Sequence, residues 1–271
     1  MVSRAVVHGV IIISCVLTIF PLLWMVSTSL KAPDDIFTSG ISLIPHAPTL
    51  GNYWAAWGMV PLGKYLWNSA VASLLIMASQ LLTSLLAAYG FARFRFRGRE
   101  ICFALFLGSM IVPIHVVMIP NYILVTRLGW LDTLAALIVP QLSSAFGVFM
   151  LRQHLLSIPN DLFDAAAIDG AGSWRALWQI VFPVMRPALS ALAVLFFLNA
   201  WNQYFWPFLV LTKSEVQTIP LGLQRFASGE AGMAWGPLMA VATAASLPAL
   251  AAYLVAQKHI ISSFVTSGLK G

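Results

Sequence analysis

Charge is what this chain has least of. Its 15 Lys and Arg and 9 Asp and Glu amount to 9% of 271 residues, against about 25% in an ordinary soluble domain, while 60% of the residues are hydrophobic. At a mean hydropathy of +0.87, that scarcity excludes a water-soluble globule. Cysteine is almost as rare. Cys15 lies in the middle of one long apolar run and Cys102 at the start of another, so their expected membrane depths differ and no disulfide is expected; neither stands at ligand spacing from a histidine or another cysteine, and both read as packing residues. The sequence has no G-x-x-x-x-G-K-[ST] phosphate loop and so no nucleotide-hydrolysing site of that kind. No apolar stretch holds a run of ionisable residues able to relay protons or hold coupling ions, which counts against the alternative of a secondary carrier for a small polar solute. An intramembrane enzyme is disfavoured as well, because His115 has no Ser, Asp or Glu partner at a defined spacing.

What the sequence does contain is a series of long uncharged runs. Six of them span residues 5–30, 65–92, 101–126, 133–151, 187–212 and 231–257. About 20 apolar residues in a helix cross the hydrocarbon core, and only a helix or a closed barrel satisfies its backbone there. The lengths of all six runs fit helices. The expected fold class is therefore an all-α integral membrane protein with six transmembrane helices in one domain over 1–271. A seventh uncharged run, 36–63, carries three prolines, four glycines and only eight Ile, Leu, Val or Phe, where the shorter stretch 5–26 has thirteen. It reads as an extramembrane loop.

Six spans place both termini on one side. With that side cytoplasmic, the inner segments hold ten basic residues, Arg93, Arg95, Arg97 and Arg99 among them, against five outside, as the positive-inside rule requires. Acidic residues divide four inside and five outside, so the net charge of +6 lies on the inner face. The basic excess reads as topology and not as nucleic-acid binding. The first run is too long for the apolar region of a signal peptide and is expected to stay as an anchor.

The largest inner segment, 152–186, reads as helix, glycine, helix. Pro159 suits a first helical turn, and Asp161 and Asp164 suit a helix N-terminus, so a short helix is expected to about Asp169, ended by Gly170. Ser173 is a fitting N-cap for a second helix, in which Trp174, Leu177, Trp178 and Val181 share one apolar face and Pro183 ends the run. That face has two possible fates: packing on the chain's own spans, or docking on a partner.

Asp164-Ala165-Ala166, three residues, Gly170, nine residues, Ile180, one residue, Phe182 and Pro183 resembles the EAA loop, E-A-A-x3-G-x9-I-x-L-P, of the membrane subunits of bacterial ABC importers. Asp164 replaces the usual Glu and Phe182 the usual Leu. Residues 21–31 (PLLWMVSTSLK), 87–93 (AAYGFAR), 201–207 (WNQYFWP) and 266–271 (TSGLKG) extend the resemblance to the maltose-type second permease subunit of carbohydrate importers, and 201–207, 220–224 and 235–239 look most similar to glycerol-3-phosphate permease subunits. The resemblance implies a type I ABC importer permease fold in the bacterial inner membrane. It implies that Asp164, Ala165, Ala166, Asp169, Gly170, Trp174, Ile180 and Pro183 belong to a coupling loop that contacts an ATPase. It implies a homologous second permease subunit, two ATPase copies and a periplasmic or lipoprotein substrate-binding protein. ATP and magnesium then bind the ATPase, and this chain binds no cofactor.

Polar side chains inside the spans are candidates for the path of a solute. On the fifth run Asn199, Asn202, Gln203 and Trp206 fall at i, i+3, i+4 and i+7, one face of an unbroken helix, with Trp201 and Tyr204 beside them. Amides next to an indole suit a hydroxylated ligand; the same amides also suit bonds between helices. Gln80, Thr83, His115, Asn121, Gln141 and Ser144 are further candidates, and Pro113, Pro120, Pro140 and Pro248 are expected to mark kinks.

Overall fold

The computed structural model describes residues 4–38, 42–227 and 234–268, and the described residues contain helices and no strand. The expected opening of the sixth span at 231–233, Glu230 and Lys270 lie outside them. In chain order the helices are α1 (Arg4–Ser29), α2 (Asp35–Thr38), α3 (Gly51–Met59), α4 (Leu62–Arg93), α5 (Arg99–Gly108), α6 (Ile114–Arg127), α7 (Leu134–Ile138) and α8 (Ala145–Leu156). They continue as α9 (Asn160–Ile168), α10 (Ser173–Ala176), α11 (Phe182–Val184), α12 (Arg186–Trp201), α13 (Phe205–Val210), α14 (Ile219–Ala227) and α15 (Trp235–Gly268).

Among the described residues, three helices are long and apolar enough to cross a bilayer unbroken: Val6–Ser29 of α1, all of α4, and Trp235–Val255 of α15. The others are broken. The chain bends by 97° between Arg99–Ile111 and α6, by 42° between Leu134–Gln141 and α8, and by 78° between Ser173–Val184 and α12. With each bent pair taken as one span, the spans number up to six. Proline explains the first two positions, since it has no N–H to donate and its ring crowds the carbonyl four residues back. Pro113 stands extended at the start of α6, with φ −60° and ψ 133°, and Pro140 lies in the 3-10 turn that closes the first half of the next pair. Pro120 and Pro248 instead lie inside α6 and α15. Among its described residues the run 36–63 holds most of α2 and all of α3, neither long enough to cross, and the first two residues of α4.

The chain divides into two compact units. The first comprises Met1–Trp67 and Gln217–Pro248. Its core joins Ala56 and Val60 with Leu62, Tyr65, Ile219, Phe226, Val241 and Ala245. The buried Asn52 amide of α3 donates to the carbonyls of Ser29 (2.9 Å) and Lys31 (2.7 Å), tying off the end of α1.

The second unit comprises Asn68–Val216 and Ala249–Gly271. Its core gathers Leu85, Ala88 and Tyr89 of α4 and Leu151 and Leu155 of α8 around Phe163, Leu177, Val181, Met185, Leu189, Leu192 and Phe196. Where the fourth span breaks, its freed carbonyls find donors on α4. Gln80 Nε2 donates to Gln141 O (2.9 Å) and Thr83 Oγ1 to Leu142 O (2.9 Å), while Ser84 Oγ adds a bond (3.4 Å) to Ser144 O, which already accepts the Val148 N–H (3.1 Å). An unpaired carbonyl in hydrocarbon costs several kcal/mol, so Gln80 and Thr83 make the break tolerable. Their role here is structural.

Candidate functional site

Two places in the second unit hold the residues singled out in the sequence. The first is the helix, glycine, helix element. Asn160 opens α9 directly after Pro159, and α9 ends at Ile168. Gly170 has φ +76°, its N–H bonds Ala167 O (3.1 Å), and the next N–H, of Ala171, bonds Ala166 O (2.8 Å). This is a complete Schellman closure, which only glycine enters freely. Ser173 is not the expected N-cap. Gly172 takes that place, Ser173 opens α10, and its carbonyl accepts the Tyr89 hydroxyl (3.0 Å).

The expected four-residue apolar face divides in two. Leu177 and Val181 are wholly buried in the core, whereas Trp174 is 65% and Trp178 37% exposed, stacked edge-on at 5.9 Å. The cause is a π-helical turn over Leu177–Val181, which widens the helix and shifts its register. Pro183 does not stop the helix either; it lies within α11, and the turn ahead of it relieves the crowding of the Gln179 carbonyl. The chain bends only at Met185.

Phe163 and Ala166 face the core, while Asp164, Ala165 and Asp169 are exposed and Ile180 and Pro183 are half-buried. Leu162 at 46% and Ile168 at 87% exposure add to Trp174 as apolar side chains without cover. The C-terminal end of α4 holds the element. Arg93 donates to Asn160 Oδ1 (2.8 Å) with its guanidinium 3.4 Å from the centre of the Phe163 ring, while Tyr89 holds Ser173. Neither grip is foreseen from the sequence, since Arg93 and Asn160 stand 67 positions apart.

The second place is a cavity of about 290 Å³ against Ser109, Asn121, Pro140, Gln141, Gln203 and Trp206. The fifth span does not run on as one helix. After Trp201 the chain is non-helical at 202–204 and resumes as α13, because Pro207 has no N–H for the Gln203 carbonyl and would clash with it. The expected face of Asn199, Asn202, Gln203 and Trp206 is therefore split. Asn199 is exposed on α12, and the exposed Asn202 folds back to donate to Leu198 O (2.9 Å). Trp201 is buried and stacked on Phe197 (5.6 Å), and the half-buried Tyr204 is stacked on Phe208 (5.7 Å). Gln203 and Trp206 remain together. Trp206 is buried, with its indole N–H donating to Ala136 O (2.9 Å). The Gln203 and Gln141 carboxamides exchange two hydrogen bonds, both 2.9 Å. His115 lies apart from this lining and packs edge-on against Phe205 (5.7 Å). Among the described residues no cluster of side chains is suited to hold a metal ion.

A carboxylate closes the same unit on another side. Asp132, at φ 61°, accepts from the N–H groups of Thr212 (2.6 Å) and Lys213 (2.9 Å) and from the Thr212 hydroxyl. Burial opposes its ionisation, but the Lys213 and Thr212 hydrogen bonds and the Lys213 charge outweigh burial and hold the carboxyl below the usual aspartate range.

Residues 80–264 match the family described as binding-protein-dependent transport system inner membrane component. The chain is 32% identical over 262 residues to the diacetylchitobiose uptake system permease protein NgcG of Streptomyces coelicolor, with 96% of this chain and 86% of that protein covered. It is 31% identical to the sn-glycerol-3-phosphate transport system permease protein UgpE of Brucella abortus (97% and 96% covered). To the arabinooligosaccharides transport system permease protein AraQ of Bacillus subtilis it is 34% identical (94% and 92% covered). Its fold is similar to a chain in the crystal structure of a bacterial ABC transporter involved in the import of the acidic polysaccharide alginate, with a TM-score of 0.84 at 22% identity over 95% of this chain and 98% of that one. The chain belongs to the family of binding-protein-dependent transport system inner membrane components, the multi-pass permease subunits of ABC importers.

Proposed function

We propose that this permease subunit passes a carbohydrate, or a related polyol or glycerol phosphate, inward across the bacterial inner membrane. The energy comes from ATP hydrolysed on separate subunits, since the sequence offers no phosphate loop. A second, homologous permease subunit completes the conduit, two ATPase copies supply the work, and a periplasmic or lipoprotein binding protein delivers the solute. The curated relatives named above are permeases for glycans and for glycerol-3-phosphate, which supports this cargo class.

The observation that carries the reading is the exposed tip of the helix, glycine, helix element. Leu162, Ile168 and Trp174 are uncovered on a segment whose other face, through Phe163, Leu177 and Val181, is packed into the core. An apolar tip on a core-packed mount is a docking knob, and a knob of this kind turns closure of an ATPase pair into movement of the spans. Both termini and this tip are assigned to the cytoplasm by the basic residues of the inner segments.

The test is reconstitution of the permease pair with its ATPase and binding protein in proteoliposomes. Uptake is expected to require ATP and the binding protein, and Ile168→Glu with Trp174→Ala is expected to release the ATPase while the permease pair stays assembled. Accumulation of solute by this chain alone, driven by an ion gradient, would overturn the reading in favour of a secondary carrier.

A further inference from the structure

Three apolar runs are interrupted beside one cavity, the third at 202–204 and so apart from the 78° bend at Met185. Pro113 and Leu142 stand at the middle of the runs 101–126 and 133–151, and Gln203 stands within the middle third of 187–212. The breaks thus lie away from the ends of their runs, at bilayer depth. The cavity touches all three, with Ser109 and Asn121 flanking the first, Pro140 and Gln141 the second, Gln203 and Trp206 the third. Non-helical backbone at that depth is tolerated where protein buries it or where it lines a watered cavity.

The chemistry of the lining is selective. None of the residues against the cavity is ionisable, so an anionic group entering it sheds its hydration and finds no cation in exchange. A hydroxyl differs. The Gln141 and Gln203 amides present to each other one donor and one acceptor apiece, and a hydroxyl also offers one donor and its own lone pairs. It can therefore take the place of either amide on the other, and a second hydroxyl of the same ligand can meet the amide that is displaced. Gln141 is held by a further bond from its Nε2 to Leu137 O (2.8 Å); Gln203, on the non-helical stretch, is the half that moves. The Trp206 ring, fixed by Ala136, supplies an apolar wall. At about 290 Å³ the space lies at the lower end of small-molecule sites, roughly 300–1,000 Å³, which suits one ring at a time.

We propose that this cavity is a transit site for an uncharged, polyhydroxylated unit, and that the Gln141–Gln203 pair is a latch that opens by exchanging its two amide bonds for bonds to ligand hydroxyls. The proposal rests on the carbohydrate reading above and narrows it, because it removes glycerol phosphate as the cargo of this cavity.

The complete importer, with Cys15 and Cys102 replaced by alanine, is reconstituted and offered diacetylchitobiose, an arabinooligosaccharide and glycerol-3-phosphate. ATP-dependent uptake of a neutral probe is expected to fall at least tenfold in Gln203→Leu, with less loss in Gln203→Asn, while binding-protein-stimulated ATP hydrolysis continues. Asn121→Cys is expected to react with a charged methanethiosulfonate reagent in the membrane, and to react more slowly while a neutral probe is being transported. Preference for glycerol-3-phosphate, or unchanged uptake in both Gln203→Leu and Asn121→Leu, overturns the transit site. An Asn121→Cys thiol that stays unreactive overturns it independently of the cargo, since a dry cavity carries no sugar. Absence of ATP-dependent uptake of all three probes by the unaltered importer indicts the carbohydrate reading instead, and the thiol result still decides whether the cavity is wet.

Discussion

Gly170 fixes the turn of the exposed element through its conformation alone. A Cβ placed there meets nothing within 4 Å, so the whole cost of Gly170→Ala is the left-handed backbone at φ +76°, about 1–2 kcal/mol. The expected outcome is a full-length, membrane-inserted permease whose retained ATPase falls several-fold. Gly147 presents the opposite case. Its backbone is ordinary, but an added Cβ would collide with Ser84 Oγ and the Phe196 ring. Gly147→Ala is expected to lower the unfolding temperature by overpacking, about 1–3 kcal/mol, with the exposed element untouched. Asp132 brings pH dependence. Its folded pKa is depressed, so its contribution to stability is complete above the ordinary aspartate range and is lost as pH falls through the lower, folded value. Asp132→Asn, which keeps the side chain's tolerance of positive φ, is expected to flatten that acid limb in a thermal melt, and an unchanged limb would remove Asp132 as its source. Gly170 is legible in the sequence because its reason is local. The Gln141–Gln203 pair and the Asp132–Thr212 bonds are not, since each joins residues 60 or more positions apart.

At the scale of elements, composition locates the apolar runs, and local chemistry then breaks three of them. Hydropathy is blind to an interruption of two or three residues, which is why 187–212 reads as one helix with four polar residues on a shared face. Pro207 carries the contrary signal, through the carbonyl four positions behind it. Pro183 misleads in the other direction, since a widened turn carries the helix past it. The apolar spacing of 174–181 does announce the burial of Leu177 and Val181, but the widened turn leaves both tryptophans outside the core. The mount of this element yields its own prediction. Arg93 grips Asn160 and Phe163 while Tyr89 grips Ser173, a cation–ring contact and charged hydrogen bond together of about 1–3 kcal/mol. Arg93→Gln combined with Tyr89→Phe is expected to preserve ATPase binding and hydrolysis but to lower the solute moved per ATP. An unchanged ratio would assign both side chains to stability alone.

At the scale of the molecule, the topology read from the basic residues puts the helix, glycine, helix element of the second unit at the inner membrane face and its 128–132 loop at the outer. In the cysteine-free protein, Ile168→Cys is expected to react with an impermeant thiol reagent only in inverted vesicles and Leu128→Cys only in right-side-out cells; the reverse pattern would invert the assigned orientation. The most apolar stretch of α1 has none of its residues buried within the chain, so lipid or another chain must cover it, and its hydropathy alone makes that span readable. The π turn at Leu177–Val181 also sets what kind of motion the tip can deliver. Such a turn holds one residue more than an α turn, and tightening it rotates everything on one side by about 100° relative to the other. A strike on Trp174 is then convertible into torque, a screw threaded through the core and not a piston. Deletion of Gln179 would lock the thread in its tight phase, and transport that survives that deletion at full rate would show that the screw never turns.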